Sequence, residues 1–168
     1  MNTKLFVCVS LTFASFVNSF IVQGPFQWEK LRYNMAASSD SSSSMDLGYT
    51  LKERNPYDVH VYYSTPEEEK EAFILREKMQ EKFSSWMRFY PPKGRPIGPH
   101  PVPMWEVDFG AYENRSRLQE ICDFLEQEKG NLSILVHPHS TDTDYADHTK
   151  HAIWFGKRME LRFEGWPR

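Results

Sequence analysis

The strongest constraint on the fold is a change of apolar period between residues 57 and 86. Tyr57-Asp58-Val59-His60-Val61-Tyr62-Tyr63 alternates and is rich in β-branched and aromatic residues, the pattern of a strand with one buried face. Thr65-Pro66-Glu67-Glu68 follows at once. It offers an N-cap, a proline for the first helical position and a capping-box glutamate. Ala72, Leu75, Met79, Phe83 and Trp86 then recur at helical spacing. A half-buried strand that runs straight into an amphipathic helix calls for a sheet with helices packed on it.

The rest of the chain repeats the theme. A short strand is expected around Met87 to Tyr90, then a proline-rich loop, then a strand from Met104 to Phe109. A second helix is expected from Asn114 to Lys129, with Leu118, Ile121, Cys122 and Leu125 inward and Gly130 as its stop. Leu132 to His137 reads as a further strand, halted by Pro138. The tail from Ser140 should hold a polar loop, a short turn or helix around His148 to Ile153, and an edge strand at Met159 to Phe163. The order β-α-β-β-α-β predicts an α+β, ferredoxin-like fold. It has an antiparallel four-stranded sheet in the order 4-1-3-2 and two helices on one face. The other face is left open, or is covered by the tail or a partner.

Composition narrows the function classes. The chain has 168 residues and a formal net charge of -3, which suits one folded domain and argues against nucleic-acid binding. Lys4 and the apolar run Leu5 to Val17 read as a signal peptide over 1–19, too short to span a bilayer, so no membrane segment is expected after its removal. Residues 20–47 are serine-rich and read as a disordered or transit-like segment. A signal peptide followed by Phe20 and serines resembles the bipartite presequence of secondary plastids; plain secretion is the alternative. The domain itself is expected over 48–168. Of the two cysteines, Cys8 lies in the signal segment and Cys122 in the domain, which excludes a disulfide framework and a cysteine-based zinc site.

Strand alternation sorts the polar groups. Val59, Val61, Trp105, Val107, Ile134 and Val136 belong to the apolar face. Asp58, His60, Glu106, Asp108 and His137 then share the other face. In the order 4-1-3-2 the strand of His60 lies between those of Glu106 and His137. Two imidazoles and a carboxylate converging there form the facial triad of non-haem Fe(II) sites, with metal ligands His60, His137 and Glu106. Asp58 or Asp108 can take the place of Glu106. The stiff proline loop brings His100 over the site. His148 and His151, one helical turn apart if that segment is helical, suit ligands, proton donors or surface residues alike.

Four segments carry a resemblance: HVYY (His60 to Tyr63), RPIGPHPVPMWEVDF (Arg95 to Phe109), LSILVHPHSTD (Leu132 to Asp142) and DHTKHAIWFG (Asp147 to Gly156). In this order they resemble the fungal-type DOPA 4,5-dioxygenase family, over roughly Tyr57 to Gly156. The resemblance implies a small ferredoxin-like protein, dimeric, that cleaves a catechol such as L-DOPA extradiol-fashion with O₂ and non-haem Fe(II). One position departs: Asp58 stands where the family pattern has a histidine. On this reading His148 is the first choice for the base that deprotonates the catechol and His100 the second, because an imidazole suits proton transfer near neutral pH. Arg95 is the candidate partner for the substrate carboxylate. Two other classes fit the residues. One is a non-catalytic small-ligand or metal-binding ferredoxin-like module. The other is a zinc-dependent hydrolase on the same ligands, and zinc is also readily picked up on purification.

Overall fold

The computed structural model describes residues 47–167. The expected signal peptide, Cys8 and all but the last residue of the serine-rich segment lie outside them. The elements are β1 (Tyr57–Tyr62), α1 (Pro66–Phe83), β2 (Arg88–Phe89), β3 (Met104–Asp108), a 3-10 turn (Tyr112–Arg117), α2 (Leu118–Glu128), β4 (Ser133–Pro138), α3 (Asp144–Thr149) and β5 (Ile153–Phe155). Among the described residues no helix is long and apolar enough to cross a membrane.

The start of α1 follows from its cap. Thr65 is extended and its hydroxyl accepts from the Glu68 N–H at 3.2 Å, while the Glu68 carboxylate accepts from the Ser64 N–H at 2.7 Å. Pro66 opens the helix, and Glu67, Glu68 and Glu69 meet its positive end. Ala72, Leu75, Met79 and Phe83 face the sheet and are buried. Trp86 lies past the helix, yet its ring still packs edge-on against Phe83 and Phe109.

The fold is α+β with a five-stranded antiparallel sheet, in the order β2-β3-β1-β4-β5. Its first four strands take the order expected, and β5 is added outside β4. The expectation of four strands is corrected by that addition. The expected edge strand at Met159 to Phe163 is also corrected. Ile153–Phe155 pairs with β4 instead, Ile134 opposite Phe155 and Val136 opposite Ile153. Met159 and Leu161 alternate as a strand would, but their side chains pack on a small apolar cluster of Tyr62, Met104, Leu135, Ala152 and Trp154. Burial of the side chains, and not a backbone ladder, accounts for their spacing.

The main core lies between the sheet and helices α1 and α2. Val59, Val61, Trp105, Val107, Phe109, Ile134 and Val136 all belong to it, as their alternation predicts. Cys122 is a buried free thiol in the same core. All six residues of β1 are buried, so its second face is covered as well. The cover there is the tail with α3 and the proline loop, and between them and the sheet lies a cavity.

Asp108 shows how a carboxylate on that second face is spent on structure. Its oxygens accept from Arg88 Nε and Nη2 at 2.5–3.1 Å, from the Tyr90 hydroxyl at 2.7 Å and from the Gly110 N–H at 2.7 Å. A carboxylate so occupied ties β2 to β3 and has little left to offer a ligand.

Candidate metal centre

The second face of the sheet carries a cavity of about 370 Å³, a size suited to a small molecule. Its floor is built by strand register. His60 lies opposite Glu106 on β3, and on β4 it is opposite Leu135, while Asp58 is opposite His137. His60 and His137 are therefore diagonal neighbours on one face. Their rings stack at 9° with Nε2 atoms 3.0 Å apart.

The third imidazole comes from α3. The Thr143 hydroxyl caps that helix by accepting from the Ala146 N–H at 3.1 Å. The Asp147 carboxylate accepts from both the N–H and the hydroxyl of Ser140, which fixes α3 to the end of β4. This anchoring sets the His148 ring 3.9 Å from that of His137. His60, His137 and His148 together offer ligand atoms that all lie within 4.8 Å of one another, and all three residues are buried.

The donor set passes a test of fit. His137 Nδ1–H donates to the Pro138 carbonyl at 3.0 Å, and His148 Nδ1–H donates to the Asp144 carbonyl at 2.8 Å. Both tautomers leave Nε2 unprotonated, with a lone pair that a metal can take, as metal-binding imidazoles require. His60 Nδ1 is buried without a partner. Two nitrogens about 2.1 Å from one ion at a right angle are about 3 Å apart, which is the His60–His137 spacing. Burial lowers the pKa of all three, for His148 to about 4, so each ring is neutral near pH 7.

The other sites expected from sequence fall in different places. The proline loop does set His100 over the cluster, with its ring 4.2 Å from that of His60, and its Nδ1 is 2.8 Å from the Tyr62 hydroxyl. Burial, then the nearby His148, push its pKa down to about 3. Glu106 lines the cavity but is not one of the three clustered ligand residues. Burial and the neighbouring Asp58 raise its pKa. Asp58 accepts from Asn55 at 2.7 Å and from His139 Nε2 at 2.9 Å. Burial is the largest single influence and pushes its pKa up, but the bond from His139, the charges of His137 and His139 and the bond from Asn55 together lower it. Arg95 is exposed and does not line the cavity, whereas Arg54 and Lys93 do. His151 lies past the end of α3, where its Nε2–H donates to Asp142 at 2.7 Å and clasps the loop. The motif Asp147 to His151 was the sequence signal for His148, but its membership of the cluster depends on how α3 docks.

The neutral imidazoles predict a pH dependence. For His60, His100, His137 and His148 the folded-state pKa lies below the ordinary value of 6.5. As pH falls below that value the unfolded chain takes up protons first, so stability falls with it, down to about pH 4 where His148 titrates. His139, whose pKa is raised by the bond to Asp58, works the opposite way, but its contribution changes above pH 6.5 and is constant below it. The Tm of metal-free protein is expected to drop steadily between about pH 6.5 and 4.5, and less steeply in His100→Gln. A flat profile across that interval would sink the picture of buried neutral rings.

Residues 57–165 match the Dopa 4,5-dioxygenase family. An uncharacterized 21.2 kDa protein of Botryotinia fuckeliana is 34% identical over 116 residues, which cover 64% of this chain. The chain spans 61% of the length of that relative. A crystal structure of a candidate dioxygenase from Nostoc punctiforme is similar with a TM-score of 0.57 and 28% identity, covering 65% of this chain and 88% of the other.

Proposed function

The chain belongs to the Dopa 4,5-dioxygenase family, and from that premise we propose that it is an extradiol ring-cleaving dioxygenase acting on a catechol such as L-DOPA with O₂ and Fe(II). The observation that carries the reading is the convergence of three buried imidazoles, two with their tautomers locked, in a cavity of about 370 Å³. His60, His137 and His148 would hold the metal. Bound Fe(II) would supply O₂ chemistry and make the catechol hydroxyls more acidic.

The other residues bind the substrate and move protons. His100 is neutral, and in the tautomer whose Nδ1–H donates to the Tyr62 hydroxyl, Nε2 is the nitrogen that accepts a catechol proton. An anionic catecholate beside the ring raises its basicity when it matters. Arg54 and Lys93 on the cavity wall take the substrate-carboxylate role that the sequence suggested for Arg95. Ring opening beside the two oxygens gives a yellow muconic semialdehyde.

The test is O₂ uptake with absorbance in the near ultraviolet and visible, after anaerobic loading with Fe(II). Oxygen consumption that tracks a yellow product, from L-DOPA or a simpler catechol, is the expected result. Iron-loaded protein that consumes no O₂ with several catechols would return the chain to a binding module.

A zinc hydrolase is favoured by one specific observation. The cluster is all imidazole, a donor set that zinc takes in catalytic sites. Ester hydrolysis by zinc-loaded protein, absent from the iron form, would support it.

A further inference from the structure

The C-terminal tail brings an aromatic wall to the histidine cavity. Trp166 lines the cavity and lies just beyond the stretch that matches the family. Its ring meets that of His148 at 83°, with centroids 5.3 Å apart. The residue is held in place from several sides. Its N–H donates to the Phe163 carbonyl at 3.1 Å, across a turn in which Gly165 has a φ of 79°. Phe163 packs edge-on against both Trp166 and Tyr145. One step back, the Arg162 N–H donates to the Pro99 carbonyl at 2.8 Å and ties the tail to the loop of His100.

The chemistry of the cavity gives this wall a purpose. Its floor is polar and titratable: Asp58, His60, Glu106 and His137. Histidines aside, Trp166 is the aromatic side chain that lines it among the described residues. A planar, electron-rich ligand that chelates at the histidines needs an apolar surface for its ring. An indole offers the largest one, through stacked or edge-to-face contact.

We infer that Trp166 is a specificity-determining residue that packs against the ring of an aromatic bidentate ligand bound at the histidine cluster. The inference rests on the catechol reading above and adds to it the tail residue that selects an aromatic ring over other chelators.

The experiment uses iron-loaded full-length protein under anaerobic conditions, with two probes. One is 4-nitrocatechol, aromatic and coloured; the other is acetohydroxamate, which chelates through two oxygens without a ring. Trp166→Ala is expected to weaken 4-nitrocatechol binding about tenfold while leaving acetohydroxamate affinity and bound iron unchanged. Trp166→Phe should restore most of the loss, and Trp166→Leu, which keeps bulk without a π face, should not. Unchanged 4-nitrocatechol affinity in Trp166→Ala overturns the inference. So does equal loss of both probes together with iron, which would make Trp166 a support for His148. If the parent binds acetohydroxamate but not 4-nitrocatechol, the catechol reading itself fails and takes this inference with it.

Discussion

Fe(II) retention is expected to be lost when His60 and His137 are both replaced by alanine, with the chain still folded. The two rings face the cavity, while the main core on the other side of the sheet is built from Val59, Val61, Ile134 and Val136. Truncation therefore removes ligand atoms without opening the core. Losing an outer-shell partner already costs a metal site about 10- to 100-fold in affinity, and losing two ligands should exceed that range. Metal content after desalting, beside a circular dichroism spectrum, reads both parts of the prediction. A double variant that holds Fe(II) as tightly as the parent places the site elsewhere. His148→Ala separates two roles. Loss of metal makes His148 a ligand, as the geometry supports; retained metal with lost turnover returns it to the role of base.

Gly156→Ala is expected to destabilise the fold by about 3 kcal/mol or more, a Tm loss of about 10 °C. Gly156 sits just past β5 at a φ of 70°, a conformation that side chains rarely adopt. A Cβ placed there would lie 2.2 Å from the Leu132 carbonyl oxygen. That oxygen is backbone at the entry to β4, so it cannot rotate away as a side chain would. Relief requires β5 to shift relative to the strand that carries His137. The damage should therefore appear in metal affinity as well as in a thermal melt. A variant within about 1 kcal/mol of the parent would show that the β4–β5 approach is looser than drawn.

Much of this architecture is legible in the chain because it depends on local periods. Alternation in residues 57–63 and 104–109 sets which side chains face the helices. The Thr65 cap and Pro66 set where α1 begins. The same alternation places Asp58, His60, Glu106, Asp108 and His137 on one face, and the register brings His60 beside Glu106 and diagonal to His137. The proline loop could be expected to carry His100 over the site, and it does.

What the sequence could not decide is which polar groups on that face remain free. Asp108 and Asp58 look equivalent to Glu106 by spacing. Arg88, Tyr90 and Gly110 saturate the first, however, and Asn55 and His139 hold the second. Arg88, Tyr90 and His139 come from other segments, Gly110 and Asn55 from the adjoining turns, and alternation carries no information about any of them. His148 joins the cluster because Asp147 bonds to Ser140 and docks α3 at the end of β4. The strand that completes the sheet is Ile153–Phe155 rather than the alternating tail, because Met159 and Leu161 satisfy their burial against side chains. Trp166 reaches the cavity through a turn and aromatic contacts that no period announces. The sequence by itself determined the layers, the faces and the first two imidazoles, since these follow from repeating backbone geometry. The third imidazole, the tying up of Asp58 and Asp108 and the aromatic wall were decided by tertiary packing, since each depends on which group arrives beside it.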